Sequence, residues 1–265
     1  MPDGNGMKES CMPLQALIFD VDGTLADTER DAHRVAFNQA FAEAGLPFAW
    51  DVPTYGVYLR VTGGKERLRA FLEEHREYPQ LSDEEIAALH RAKTHHYVEM
   101  VATGLLPLRP GVRRLLDAAR DADIRVAIAT TTTPANVEAL LHSTLGADAL
   151  ARFAVIGAGD VVPRKKPAPD IYQYVLDQLG LAAGECLAIE DSANGLRSAR
   201  GAALPTLITE TDYTRGQDFS GALRALTHLG EPEEPAQVIT GPEAGSRLLV
   251  DIPLLRQWWA ETITP

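Results

Sequence analysis

The stretch LQALIFDVDGT, residues 14–24, decides the fold. Residues 14–19 are mostly apolar, and a short apolar run that ends in turn residues is typical of a buried strand. Asp20 and Asp22 follow directly. Side chains two residues apart on a strand point to the same side. The stretch therefore predicts a strand that presents two carboxylates at its carboxyl end.

Apolar runs of similar length recur along the chain and predict further strands at 124–130, 153–156, 186–189 and 204–208. Amphipathic patterns between and after them predict helices at 110–122, 134–145, 168–179 and 192–201. Several of these begin at Pro or Ser and end at Gly, as helices often do. Alternating strands and helices predict an α/β fold with a doubly wound (Rossmann-like) parallel sheet.

Residues 28–106 interrupt this alternation, because they show only helical patterns, at about 27–44, 64–75 and 82–102. We expect an inserted all-helical cap at 28–106 and a core formed by 1–27 and 107–265. The Gly-, Pro- and Glu-rich segment 230–245 predicts a surface loop. A last amphipathic helix contains Trp258 and Trp259, which we expect to pack against the core.

The composition of the chain limits the kinds of partner that it can bind and the compartment in which it is expected. The 265 residues have a net charge of -12, which opposes binding to nucleic acid or an anionic membrane. The two cysteines, Cys11 and Cys186, form neither a disulfide framework nor a metal motif, so a reducing compartment is expected. With no long apolar stretch and no signal-peptide pattern in 1–12, we expect a soluble cytoplasmic monomer.

The carboxylate pair Asp20 and Asp22 suits either a Mg2+ site or an acid/base pair, since two close carboxylates repel without a cation or a shared proton. An EF-hand is excluded because the Gly stands at the wrong loop position and an apolar strand precedes the loop. An ordinary Asp-Gly turn remains an alternative at this point.

Three other predicted strand ends have chemistry of their own. Thr130 begins a run of four threonines before a helix, where it could hold an anion or cap the helix. Segment 164–167, Arg-Lys-Lys-Pro, is either a cationic site or solvated surface. Glu190 and Asp191 form a second acidic pair, whose alternative role is capping of the next helix together with Ser192.

In this order and spacing, the four motifs resemble the haloacid dehalogenase superfamily of phosphatases and phosphomutases. The resemblance implies that Asp20 is a nucleophile that forms an aspartyl-phosphate. It implies that Asp22 is the general acid and then the general base. Thr130 and Lys166 correspond to the groups that hold phosphoryl oxygens.

The same resemblance implies a Mg2+ cofactor. Asp20, the main-chain carbonyl of Asp22 and Asp191 would ligate the ion, and Glu190 would orient the ligands. A metal ion and a lysine would then create a local positive site in an acidic protein.

Substrate selectivity is expected from the cap. Glu29 and His33 lie four residues apart on the first cap helix, near the nucleophile strand, as substrate-binding residues or as a helix-surface pair. Gly63, Gly64 and Lys65 open a basic helix and predict a second anion site, with a plain interhelical turn as the alternative. Arg91 and Lys93 add two cations.

The cap segments 62–67 and 90–94, with 213–215, resemble the CbbY-like branch of the superfamily, in particular xylulose-1,5-bisphosphate phosphatases. The resemblance implies a small phosphosugar with two phosphates, one at the nucleophile and one at cap cations. A β-phosphoglucomutase-like mutase would share every core motif. A non-catalytic sugar-phosphate-binding regulator on the same fold is a further alternative.

Overall fold

The structure is a computed structural model that describes residues 14–262. Cys11 and segment 1–12 therefore lie outside the described residues. One eight-stranded sheet organises the chain. Its strands are β1 Ala16–Phe19, β2 Arg125–Ala129, β3 Val155–Gly157, β4 Cys186–Glu190, β5 Thr206–Thr209, β6 Arg224–Leu226, β7 Ala236–Thr240 and β8 Arg247–Leu248.

The strand order in the sheet is β3-β2-β1-β4-β5-β6-β7-β8. All neighbours from β3 to β6 are parallel, which confirms the predicted parallel sheet. Phe19 pairs with Ile128 on one side and with Ile189 on the other. This register brings the carboxyl ends of the three central strands to one edge, where open α/β sheets bind ligands.

The nine α-helices of the described residues alternate with the strands between β2 and β5, whereas five consecutive helices lie between β1 and β2, and β5 to β8 follow one another without an α-helix. They are α1 Arg34–Glu43, α2 Val52–Tyr58, α3 Gly64–Glu74, α4 Asp83–Ala102, α5 Val112–Asp121, α6 Pro134–Leu145, α7 Asp170–Leu179, α8 Ala193–Gly201 and α9 Ile252–Ala260. The first four lie between β1 and β2 and confirm a helical insertion. The short α2 was not predicted. A π-helical turn, Glu29–His33, precedes α1.

The prediction of a surface loop at 230–245 is wrong, because β7 lies inside that segment and pairs antiparallel with β6. Ala236 and Val238 are buried while Gln237 is exposed, the alternation of a strand with one covered face. Two small buried side chains among Gly, Pro and Glu residues give a weak periodic signal. Pairing with β6 decides the structure here.

Apolar side chains form cores on both faces of the sheet. Leu17 and Phe19 pack on one face, and Ala16 and Ile18 pack on the other. Trp258 and Trp259 are buried in the first of these cores, which confirms the expected packing of the last helix.

The inserted helices have an aromatic core of their own, which includes Phe37, Phe41, Trp50, Tyr55 and Phe71. We keep the boundaries at 27/28 and 106/107 as a proposal. None of the helices within 14–262 is long and apolar enough to cross a membrane.

Candidate active site

Lys166 lies at the centre of the sheet edge and is buried, so the cationic turn is not solvated surface at this position. Its Nζ donates to Asp20 Oδ1 at 2.7 Å, to the Ala129 carbonyl at 2.9 Å and to Glu190 Oε1 at 2.5 Å. Three strands that are distant in sequence are thereby joined by one ammonium group. The neighbouring Lys165 instead contacts Asp160 at 2.6 Å.

Burial has the largest effect on the pKa values of Lys166 and Asp20, and the charges of neighbouring groups come next. Burial alone would lower the pKa of Lys166, but the carboxylates of Asp20 and Glu190 outweigh it and the pKa lies above the ordinary lysine value. Burial raises the pKa of Asp20 to about 7, and Glu190 and Asp22 add to the rise against the opposing charge of Lys166. The site therefore has more negative charge than one lysine balances.

Glu190 is held on both oxygens. Oε1 accepts from Lys166 and from the Tyr172 hydroxyl at 3.0 Å, and Oε2 accepts from the Asp191 backbone N–H at 3.0 Å. A Cβ on Gly195 would lie 1.8 Å from the Glu190 carboxyl carbon, so only glycine fits there. These contacts orient the carboxylate and leave it little freedom to move toward a ligand.

Asp20, Glu190 and Asp191 each place one carboxylate oxygen within 4.8 Å of the others, and all three residues are buried. Burial, together with Glu190 and Asp20, raises the pKa of Asp191 well above its usual range. Oxygen donors with excess negative charge are what Mg2+ requires, and Mg2+ prefers one or two carboxylates in such sites. The cluster fits a divalent cation.

Asp22 belongs to a different network. Its Oδ1 accepts from the Thr28 hydroxyl at 2.5 Å and from His33 Nε2 at 2.7 Å. Burial favours the neutral acid, but His33, Thr28 and the nearby Lys93 outweigh it and lower the pKa of Asp22 to about 2. The side chain is therefore a carboxylate held by Thr28 and His33.

His33 and Lys93 continue that network into the cap. Lys93 Nζ lies 2.6 Å from His33 Nδ1, and burial lowers the pKa of Lys93 to about 8. A lysine ammonium can only donate, so Nδ1 accepts and the imidazole proton sits on Nε2, facing Asp22. The His33 ring also stacks on Tyr97 with centroids 4.3 Å apart. Both residues thus support Asp22.

A cavity of about 220 Å³ opens over Asp20 and Lys166, and Thr130 and Thr131 line one side of it. Three arginines that the sequence analysis did not select line the same cavity: Arg60, Arg67 and Arg197. Arg67 stands in the basic segment 62–67, which was the available signal for it.

Glu29 also lines this cavity and anchors a cap arginine. The Tyr55 hydroxyl donates to Glu29 at 2.5 Å, and Arg67 donates to the same hydroxyl at 2.6 Å. Arg67 lies 3.6 Å from the Glu29 carboxylate. The Arg67 guanidinium is therefore held in place at the side of the cavity over Asp20.

Lys65 does not reach the cavity over Asp20. It forms an ion pair with Asp160 of the core at 2.7 Å. Hydrogen bonds from Lys165 and Lys65 together lower the pKa of Asp160 to about 2. Gly63 and Gly64 line adjacent spaces together with Thr131 and Thr133.

Arg91 lies on an exposed face of α4 and does not line the cavity over Asp20. The structure does not bring it together with the other selected residues. Lys93, on the same helix, is buried against His33. Of the two cations expected from segment 90–94, one faces the site and one faces solvent.

Residues 14–203 match the model of the haloacid dehalogenase-like hydrolases. The chain belongs to this family. It is 52% identical to the plasmid-encoded protein CbbY of Cupriavidus necator, over 94% of this chain and 98% of that protein. The prediction of a phosphatase-type hydrolase is confirmed.

Two solved structures place the fold among known ones. A variant of CbbY from Rhodobacter sphaeroides, in complex with xylulose-(1,5)bisphosphate, matches 81% of this chain and 94% of its own at 45% identity, with a TM-score of 0.77. A β-phosphoglucomutase from Clostridium difficile matches 94% of this chain and 99% of its own with a TM-score of 0.70 at 20% identity. The second likeness concerns the fold alone.

Proposed function

We propose that this protein is a Mg2+-dependent phosphatase that hydrolyses a phosphorylated sugar through an aspartyl-phosphate on Asp20, with xylulose-1,5-bisphosphate as its preferred substrate. The observation that supports this most directly is the Lys166 ammonium held between Asp20 and Glu190, under a cavity lined by three arginines. The similarity to a CbbY protein in complex with that bisphosphate supports the choice of substrate.

In the first step, a carboxylate oxygen of Asp20 attacks phosphorus. The oxygen–phosphorus bond to Asp20 forms, the bond to the sugar oxygen breaks, and the leaving oxygen takes a proton from Asp22. Lys166 fixes Asp20 through Oδ1 and neutralises phosphoryl charge, and Thr130 supplies a hydroxyl. Because the pKa of Asp22 is about 2 here, the negative charge of an arriving phosphate must favour its protonation first.

In the second step, water attacks the aspartyl-phosphate. Asp22, now a carboxylate, takes a proton from this water, and the bond between Asp20 and phosphorus breaks. Thr28 and His33 hold Asp22 in this base form by donating to Oδ1. The same side chain therefore serves both half-reactions, with its proton returned at the end.

Asp20, Asp191 and the main-chain carbonyl of Asp22 would hold Mg2+, and Glu190 would orient Asp191 through its backbone contact. Bound there, Mg2+ would supply the positive charge that draws the phosphate to Asp20 and stabilises the transition state. The raised pKa values of Asp20 and Asp191 fit this role, since a cation favours their ionised forms.

The second phosphate of a bisphosphate would lie toward Arg60, Arg67 and Arg197, which share the cavity with Asp20. Guanidinium groups bind phosphate in a bidentate way, so they suit a second anion better than Lys65, which pairs with Asp160. Asn194 links this side of the core to the cap by donating to the Arg60 carbonyl at 2.9 Å and to Thr62 at 3.1 Å. Cap and core would thus enclose the sugar together.

The test is phosphate release in the presence of Mg2+ and of EDTA, on xylulose-1,5-bisphosphate, ribulose-1,5-bisphosphate, fructose-1,6-bisphosphate and β-glucose-1-phosphate. We expect Mg2+-dependent release that is fastest on the first compound. Conversion of β-glucose-1-phosphate to its isomer without free phosphate would establish the mutase alternative. Binding without turnover on the whole panel would establish a regulator. An Asp20→Asn variant controls for a contaminating phosphatase.

A further inference from the structure

Arg109 is a buried arginine at the point where the chain returns from the cap to the core, just before α5. Its guanidinium donates almost entirely to backbone carbonyls at the carboxyl edge of the sheet. The acceptors are the Gly23 carbonyl, the Thr209 carbonyl at 2.9 Å and hydroxyl at 3.1 Å, the Glu210 carbonyl at 2.6 Å and the Thr227 carbonyl at 2.8 Å.

These acceptors belong to three strand ends. Gly23 follows β1, Thr209 ends β5 and Thr227 follows β6. In the sheet, β4 lies between β1 and β5, and β4 leads directly to Asp191. Arg109 therefore ties together the strand ends on both sides of Asp191.

Gly23 lies between Arg109 and the Asp191 carboxylate. Its φ of +88° favours glycine, and a Cβ there would lie 2.4 Å from Asp191 Oδ2. The Gly23 backbone thus lies directly against the Asp191 carboxylate. Arg109 donates to the Gly23 carbonyl, and the Gly23 nitrogen is bonded to the Asp22 carbonyl carbon. A shift of Gly23 would therefore move the Asp22 carbonyl relative to Asp191, and these are two of the groups proposed to bind the metal.

Arg109 also joins the two segments that connect cap and core. Its backbone N–H donates to the Leu25 carbonyl at 2.8 Å, and its Nε lies 3.3 Å from the Asp27 carboxylate. Leu25 and Asp27 lead into the cap, whereas Arg109 leads out of it. The loop that contains Asp22 is therefore fixed to the core at the base of the cap.

From this geometry we infer that Arg109 is a positioning residue, which sets the Mg2+ affinity of the site by holding Gly23, and through it the Asp22 carbonyl, against Asp191. The inference rests on the proposed function, because it uses the same metal site. Lysine cannot replace Arg109, since one ammonium nitrogen cannot reach acceptors that two guanidinium nitrogens now share.

The experiment measures Mg2+ binding by calorimetry on EDTA-treated, phosphate-free full-length protein, together with thermal unfolding. Arg109→Lys should raise the Kd for Mg2+ roughly 10- to 100-fold, as loss of a group that orients metal ligands typically does. At saturating Mg2+, the KM for substrate should change less than kcat. In Arg109→Ala, millimolar guanidinium should restore Mg2+ binding and ammonium should not, because Arg109 lines a cavity of about 440 Å³ through which the cation can enter.

Arg114 provides the matched control. It is another arginine that donates to backbone carbonyls, those of Val250, Leu229 and Gly230. It lines neither the cavity over Asp20 nor the cavity of about 440 Å³ that Arg109 lines. Arg114→Ala should lower the Tm while the Kd for Mg2+ stays within about twofold of the wild-type value.

Folded Arg109→Lys with an unchanged Kd for Mg2+ would overturn the inference, as would a rise of the Kd in Arg114→Ala by the same factor. Neither result would count against the proposed phosphatase. Conversely, a wild type that binds Mg2+ and releases no phosphate would count against the proposed function, while the ratio of the two Kd values would still decide the role of Arg109.

Discussion

The catalytic edge of the sheet and the cap place their charged groups in different ways. Asp20, Thr130 and Asp191 stand directly after strands, so the register of the sheet alone brings them together. In the cap, Lys65 and Arg67 are two residues apart on one helix, yet Arg67 lines the cavity over Asp20 and Lys65 pairs with Asp160. The contacts of a cation on a cap helix therefore decide whether it faces the cavity. For a group at a strand end, the position in the sheet is enough to place it at the site.

The two regions also differ in how their charges are held. Lys166 is surrounded by carboxylates that belong to the same edge, and it is buried with them. Arg60 is exposed and contacts Glu74 and the face of the Tyr58 ring, while Arg67 is buried against Tyr55 and Glu29. Loss of a group at the sheet edge should therefore stop chemistry, and loss of a cap cation should mainly weaken binding.

Removal of the nucleophile is expected to have the largest effect. Asp20→Asn should reduce kcat on the order of 10⁶-fold, the size of loss seen when a covalent nucleophile is removed. Incorporation of labelled phosphate into quenched protein should disappear with it. Turnover within about tenfold of wild type would show that Asp20 is not the nucleophile.

Removal of the acid/base group, Asp22, should have the next largest effect on kcat. Asp22→Asn should lower kcat about 10²- to 10⁴-fold with little change in substrate affinity, because general acid/base catalysis supplies an effect of that size. Single-turnover kinetics should show slow decay of the aspartyl-phosphate. An unchanged kcat would contradict the role given to Asp22.

Loss of a cap cation that lines the cavity should be smaller and specific to the substrate. Arg67→Met should lower kcat/KM for the bisphosphate about 10- to 100-fold, since a charge-assisted hydrogen bond contributes about 1.5–3 kcal/mol. Hydrolysis of p-nitrophenyl phosphate, which has no second phosphate, should change far less. Equal losses on both compounds would remove Arg67 from the second phosphate site.

The pH dependence of metal binding tests the charge of the sheet edge. The pKa of Asp20 rises from 3.8 to about 7 on folding, so between these values the folded metal-free protein holds a proton that the unfolded chain lacks. Its free energy of unfolding should then fall as the pH rises from about 4 to 7. Mg2+ requires the carboxylate, so its Kd should fall up to about tenfold per pH unit over this range.

Thermal unfolding with and without Mg2+, at about pH 5.5 and pH 7.5, measures this effect. The Mg2+-induced rise in Tm should be larger at the higher pH. In Asp20→Asn the dependence on pH should become weaker. A rise in Tm that is the same at both pH values in the wild type would show that Asp20 does not release a proton when Mg2+ binds.

The smallest effect is expected for Lys65. Lys65→Met should change kcat/KM for the bisphosphate less than about threefold, because an exposed ion pair contributes about 0–1 kcal/mol. Asp160→Asn, which removes the partner of Lys65, serves as the control and should behave alike. A tenfold loss confined to Lys65→Met would return this lysine to the substrate site.

The sequence by itself determined the parallel sheet, the helical insertion and the residues at the central strand ends. These follow from the 3.6- and 2-residue periodicities and from the rule that parallel strands end at one edge. Asp20, Thr130, Glu190 and Asp191 could be selected on that basis without any knowledge of side-chain contacts, whereas the choice of Lys166 over Lys165 rested on the resemblance to the family.

The tertiary structure alone decided which cap cation faces the cavity, that Arg109 joins three strand ends, and that 236–240 is a strand. Each of these depends on contacts between residues far apart in sequence: Arg67 with Tyr55, Arg109 with Gly23 and Thr227, and β7 with β6. Local periodicity contains no information on such pairs, because burial and partner geometry, not residue type, determine what a long cationic side chain binds.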